Sequence, residues 1–113
     1  MTDDAAVHVD TSTDGTLIIQ PRGPIGAEQA GQLRRAFVHA VRHVRPPRLV
    51  VDLRNVADLD PINLGTVAAA CEMGDDYQVP VFLEHSNPAL AGRLAAAGVP
   101  LHRLRLVRPV PIG

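Results

Sequence analysis

Apolar and polar positions along the chain follow two rhythms, a period of two and a period of three to four, which succeed each other in an orderly way. Over residues 6–10, Val7 and Val9 alternate with His8 and Asp10, the pattern of a half-buried strand. Thr13-Asp14-Gly15 follows, and Asp-Gly between two strand-like runs predicts a hairpin, with the second strand over 16–20. Arg22-Gly23-Pro24-Ile25-Gly26 then interrupts the chain. From Ala27 to about Val44, the residues Ala30, Leu33, Phe37, Val41 and Val44 recur at spacings of three and four, one apolar stripe of a helix. Arg34, Arg35, His39, Arg42 and His43 fall mostly off that stripe, and Pro46-Pro47 ends the helix.

The run Leu49-Val50-Val51-Asp52-Leu53 is continuously apolar up to Asp52, the signature of a strand buried on both faces. Asp60-Pro61 opens the next helix, because Asp caps well and proline at the first helical position has no amide left to satisfy. Its stripe is Leu64, Val67, Ala68 and Cys71, running toward Tyr77. A strand over 79–84 follows. Asn87-Pro88 repeats the cap-and-proline device for a helix to Ala97, with Gly98 as its left-handed stop and Pro100 beyond. Leu104 and Leu106 alternate with Arg103 and Arg105, which predicts a last strand over 102–107 and a tail over 108–113.

The order is therefore ββαβαβαβ, the pattern of an α/β fold with a mixed, mostly parallel sheet. Right-handed crossovers between neighbouring parallel strands place successive helices on the same face of it. No repeat or linker divides the 113 residues, so a single domain over 1–113 with its core at about 6–107 is expected. Three aromatic residues, Phe37, Tyr77 and Phe82, leave that core to Leu, Val, Ile and Ala.

Eleven basic residues, all of them Arg, meet 12 acidic ones for a net charge of −1. That balance excludes indiscriminate binding to nucleic acid or to membrane surfaces, which needs a large positive excess. No apolar run approaches the roughly 20 residues of a membrane span. The lone Cys71 and the acidic Met1–Asp4 segment, unlike a signal peptide, point to the cytoplasm.

Candidate chemistry is sparse. Asp52, Asp58 and Asp60 flank one strand-to-helix turn, where open α/β sheets bind ligands, and could hold a hard cation such as Mg²⁺. The plainer reading has Asp60 capping the helix and Asp52 bonding loop amides, with no metal and no cofactor. His39 and His43 have chelating spacing but Ala40 follows the first, so a solvated face is expected. Cys71 lies on an apolar stripe and reads as core. Ser12 and Ser86 sit in no nucleophile turn, and Gly23 and Gly26 lack the lysine and spacing of a phosphate loop.

The stretch from Leu49 to Gly65, Leu-Val-Val-Asp-Leu-Arg-Asn-Val-Ala-Asp-Leu-Asp-Pro-Ile-Asn-Leu-Gly, resembles the signature of the STAS domain family of the anti-sigma-factor-antagonist type. In that family an apolar strand ends in Asp-Leu and, about seven residues on, Asp-Ser-Ser-Gly-Leu-Gly starts a helix. Gly23-Pro24-Ile25-Gly26 stands where the family has Gly-Glu-Leu-Asp, and 81–94 resembles its strand, Asn-Pro turn and helix. The resemblance spans roughly residues 6 to 107. It implies a non-enzymatic module that binds a protein partner, an anti-sigma factor that is also a serine kinase of the histidine-kinase-like ATPase type, by the chain alone or as a homodimer.

The family's second Ser is the phosphorylated one, and phosphate there abolishes partner binding. Asp60 matches the Asp, Pro61 the first Ser, Ile62 the phosphorylated Ser and Asn63 the Gly, while Leu64 and Gly65 match outright. Ile62 has no oxygen to receive a phosphoryl group. The other candidate hydroxyl in the segment is Thr66, which in mid-helix more often bonds a backbone carbonyl. The resemblance thus implies partner contacts from Asp58, Asp60, Pro61, Ile62, Asn63 and Leu64, a loop shaped by Asp52, and no switching by phosphate at 62. Two other readings remain beside it. The same fold could serve as a transporter's STAS subunit or as a small-ligand or nucleotide-binding regulatory domain, or the aspartates could serve an enzyme.

Overall fold

The computed structural model describes residues 7–23 and 25–105; Ala6, Pro24, Leu106, Val107 and the 108–113 tail lie outside the described residues. Five strands form one sheet in chain order: β1 (Val7–Thr11), β2 (Leu17–Pro21), β3 (Leu49–Asp52), β4 (Val81–Glu84) and β5 (Leu104–Arg105). β1 and β2 pair antiparallel as the Asp-Gly hairpin requires, with Gly15 at φ +89°, and the remaining pairs are parallel. Three helices cover the sheet: α1 (Ala30–Val38), α2 (Pro61–Tyr77) and α3 (Pro88–Ala96). The expected α/β order and mixed sheet are both present.

Alternation decides which face is covered. Leu17 and Ile19 of β2, Leu49 and Val51 of β3, and Val81 and Leu83 of β4 point into one core with Leu33, Phe37, Val41, Val67, Cys71, Leu90 and Leu94 of the helices. Phe37 is the one aromatic residue buried there, so the core is aliphatic, as the composition dictates. On the opposite face Val50 is still buried, because its register partners Ile18 and Phe82 flank it on both sides and the Arg103 guanidinium lies 5.5 Å from the Phe82 ring. The continuous apolar run of β3 is therefore buried on both faces, although helices cover only one.

Three details depart from the sequence reading. The first helix opens with a 3₁₀ turn (Ala27–Gln29) and closes with a π-helical segment (His39–Val44). There the Arg45 amide reaches Ala40 O, five residues back, at 2.8 Å. The wider turn rotates each residue less, so Val44 falls off the stripe and is 46% exposed, while Ala40 joins the core. The chain is turned by Arg45 in the left-handed region (φ 52°), one residue before the prolines. Third, the predicted last strand begins as a 3₁₀ turn (Leu101–Arg103), and only Leu104–Arg105 pairs with β4.

The end of α2 explains a glycine. Gln78 adopts φ 62°, and the Val79 amide bonds Gly74 O at 2.8 Å, a Schellman-type closure. That closure folds the chain back onto Gly74, where a Cβ would stand 2.5 Å from Val79 O and 2.6 Å from Val81 Cγ2. Gly74→Ala should destabilise the protein by about 1–3 kcal/mol, the usual range for overpacking, seen as a lower denaturation midpoint at unchanged slope. The hairpin gives a pH prediction. Asp14 accepts from the Ser12 hydroxyl and the Thr16 amide and faces Arg48, which together hold its carboxyl at about 2 instead of 3.8. Its contribution is present above pH 3.8 and lost as pH falls toward 2. Asp14→Asn should flatten stability against pH in that window when unfolding is followed by circular dichroism.

Candidate functional site

β3 delivers the chain at its carboxyl end into the loop 53–60, which leads directly into α2. Leu53, Val56 and Leu59, three apart, are 1–3% exposed and pin this loop to the core, so Arg54, Asn55, Ala57, Asp58 and Asp60 face outward. The loop is also bonded to its neighbours. Leu59 pairs with Ile25 in a parallel bridge, the Asp60 amide donates to Ile25 O at 3.4 Å, and the Gly23 amide donates to Asn55 O at 3.3 Å. From the other side Asn87 Nδ2 donates to Ala57 O at 2.9 Å, and Arg93 forms an ion pair with Asp58. Between these anchors lies a groove of about 510 Å³ lined by Gly23, Ile25, Gly26, Asn55 and residues 57–60.

The start of α2 differs in one respect from the expected cap. Asp60 occupies the N-cap with extended backbone (φ −64°, ψ 155°), but its side chain makes no capping bond. Its carbonyl instead accepts from the Asn63 and Leu64 amides at 2.9 and 3.0 Å. Pro61 has no amide, and the Ile62 amide has no partner among the described residues. A helix start that binds anions offers several free amides. Here one remains, beside the exposed Asp58 and Asp60 carboxylates, and such a cradle is poor for phosphate. In contrast Asn87 caps α3 as predicted, its Oδ1 accepting from the Leu90 amide at 2.8 Å.

The six residues Asp58 to Leu64 singled out by the sequence divide into two groups. Asp58, Asp60, Pro61 and Ile62 are exposed, Ile62 to 55%. Asn63 and Leu64 are buried, at 0% and 7%. Asn63 Nδ2 donates to Gly26 O at 2.8 Å and Ile25 O at 3.3 Å, so this side chain ties α2 to the 23–26 segment. Its Oδ1 is buried without a partner among the described residues. Thr66 Oγ1 donates to Ile62 O at 3.0 Å, the back-bond expected of a mid-helix Thr.

Asp52 lies on the uncovered sheet face, 7% exposed, and shapes the turn through the Arg54 amide at 3.1 Å, as expected. It also takes the Arg54 Nε at 3.0 Å and Gln20 Nε2 at 3.1 Å. Asp52 is thus engaged by Arg54 and Asp58 by Arg93, and the three aspartates do not converge. Among the described residues no three His, Cys, Asp or Glu stand together as a metal site would need. His39 and His43 stack at 5.5 Å on an exposed face. Cys71 is buried, which pushes its thiol up to about 11. Sequence reasoning missed Arg93, Asn87 Nδ2 and Gln20 as partners of the site, because each acts across 30 or more residues.

A family model described as STAS domain matches residues 9–104. Among solved structures, SpoIIAA, described as a Bacillus cell fate determinant in its phosphorylated form, is similar with a TM-score of 0.75 at 14% identity, covering 91% of this chain and 92% of its own. A variant of RsbS from Moorella thermoacetica is similar with a TM-score of 0.74 at 16% identity, covering 92% and 87%. SLC26A9 matches with a TM-score of 0.61 at 15% identity over 80% of this chain and 18% of its own. No curated protein matches the chain.

Two outcomes follow from this geometry. Asn63→Ala removes the side-chain tie to Ile25 O and Gly26 O, each of which keeps one backbone donor, and should cost about 0.5–1.5 kcal/mol in chemical denaturation, with faster hydrogen exchange at the Gly23 and Asp60 amides. Cys71 should react with a thiol reagent only as fast as the protein opens, so its rate should rise with denaturant.

Proposed function

The chain belongs to the STAS domain family, and we propose that it acts as a non-enzymatic protein-interaction module of the anti-sigma-factor-antagonist type, cytoplasmic and not switched by phosphate at residue 62. The observation that carries this reading is Ile62, a large apolar side chain 55% exposed at a helix start held from both sides. Burying such a side chain against a partner is worth about 1.5–3 kcal/mol, whereas leaving it in water gains nothing. Asp58, Asp60 and Pro61 surround it as an exposed rim, and Asn63 and Leu64 serve the contact from beneath by fixing the loop.

Regulation of this copy differs from the family's. A phosphate at a helix start adds about −1.5 to −2 charges. Ile62 offers no oxygen for it, Thr66 Oγ1 is engaged with Ile62 O, and one free amide remains to receive an anion. The partner is a protein of the anti-sigma kind, a kinase of the histidine-kinase-like ATPase type being the family's usual one, and binding is constitutive at this loop. The match to part of SLC26A9 favours one second reading, a STAS subunit or appendage of a transporter.

Affinity purification from the native cell distinguishes the two: an ATPase with anti-sigma activity supports the first reading, and a transporter component the second. Ile62→Asp should weaken binding of the recovered partner at least about tenfold, or ~1.4 kcal/mol, in a calorimetric titration. Unchanged affinity would remove this surface from the contact. Incubation with the kinase and ATP should leave residue 62 unmodified by mass spectrometry.

A further inference from the structure

Helices α1 and α2 lie side by side, and between their outer faces runs an open groove of about 430 Å³. Its walls are apolar, with Val38, Ala69 and Met73 among the lining and Ile62 at the end nearest the loop. Two features mark this groove. The first is Gly65. It sits exposed within α2, where glycine costs about 1 kcal/mol relative to alanine. Its backbone is ordinary for a helix, and a Cβ there would meet nothing within 4 Å. Nothing inside the protein requires its smallness, whereas Gly74 in the same helix is required by the returning chain.

The second feature is charge. Arg34 and Arg42 line the groove on the side of the first helix, both exposed and neither in an ion pair among the described residues, with the Arg42 guanidinium 5.7 Å from the centre of the Tyr77 ring. They stand eight residues apart, roughly two turns along the first helix. The segment from 27 to 45 carries four arginines against the single acid Glu28, in a chain whose net charge is −1. Positive charge is therefore concentrated along one wall of the groove.

We infer that this groove receives an amphipathic helix of a protein partner, whose carboxylates meet Arg34 and Arg42 and whose apolar side packs onto Gly65 and Ala69. The inference rests on the reading of the chain as an interaction module and adds the chemistry of what it binds. An acidic helix satisfies both arginines at once, since side chains two turns apart on it match their spacing. Gly65 lets its backbone approach closely. Ile62 then joins the groove to the exposed loop, and one partner can cover both.

The test is a titration of the isotope-labelled full chain with a synthetic helical peptide of about 18 residues, with Leu on one face and Glu two turns apart. A twin carries Gln in place of Glu. The Glu peptide should shift the Gly65, Thr66 and Ala69 amides and bind at least about tenfold tighter than its twin at low salt, the gap closing near 1 M salt. Arg34→Glu with Arg42→Glu should erase that preference. Gly65→Leu should abolish binding of both peptides while leaving the protein folded and thermally no less stable. Equal binding of the twins, shifts confined to other surfaces, or binding that survives Gly65→Leu would overturn the inference. So would groove shifts that grow with protein concentration alone, which would assign the groove to a second copy. A natural partner lost with Ile62→Asp but retained by both groove variants would remove the groove and leave the loop reading intact. A partner lost with the groove variants but indifferent to Ile62→Asp would do the reverse.

Discussion

The parallel bridge between Ile25 and Leu59, reinforced by the Asn63 side chain, is the constraint on which the presented surface depends. It joins the segments leaving β2 and β3 beyond the sheet, where backbone amides and carbonyls would otherwise have to be satisfied by water. With Asn87 and Arg93 holding the other flank, the loop becomes an extension of the sheet rather than a mobile connection. A loop held on both flanks in this way has little conformational freedom left to lose.

The same constraint shapes the start of α2. The Asn63 side-chain amide reaches into the 23–26 segment, and Pro61 leaves the helix start with one amide fewer. Both features stiffen the loop and Pro61 reduces its capacity for an anion. Asp60 occupies the N-cap through its backbone and Leu64 enters the core.

Charge is distributed with comparable economy. On the uncovered face, Asp52 is buried against Gln20 and Arg54, so the side chain that ends the central strand is satisfied without help from the helices. Arg93 and Arg103 are likewise taken up by Asp58 and Asp75. Among the described residues the arginines of the first helix have no such acids, and Arg42 and Arg45 lie over the Tyr77 ring instead.

Element order, the hairpin, the two-sided burial of β3 and the caps at Pro61 and Asn87 were all legible from period, proline and Asx placement, because these act between residues close in the chain. So was the core role of Cys71. Tertiary structure alone decided the rest. The π-helical end of the first helix exposes Val44, a shift of phase that spacing cannot reveal. Asn63 turned from a candidate contact into a buried tether because its partners, Ile25 and Gly26, lie 37 to 38 residues away. Gly65 and Gly74 read alike in sequence, and only the path of the returning chain shows that one is needed inside and the other faces open space. Local chemistry sets which element forms, while the use of a side chain depends on what long-range folding brings against it.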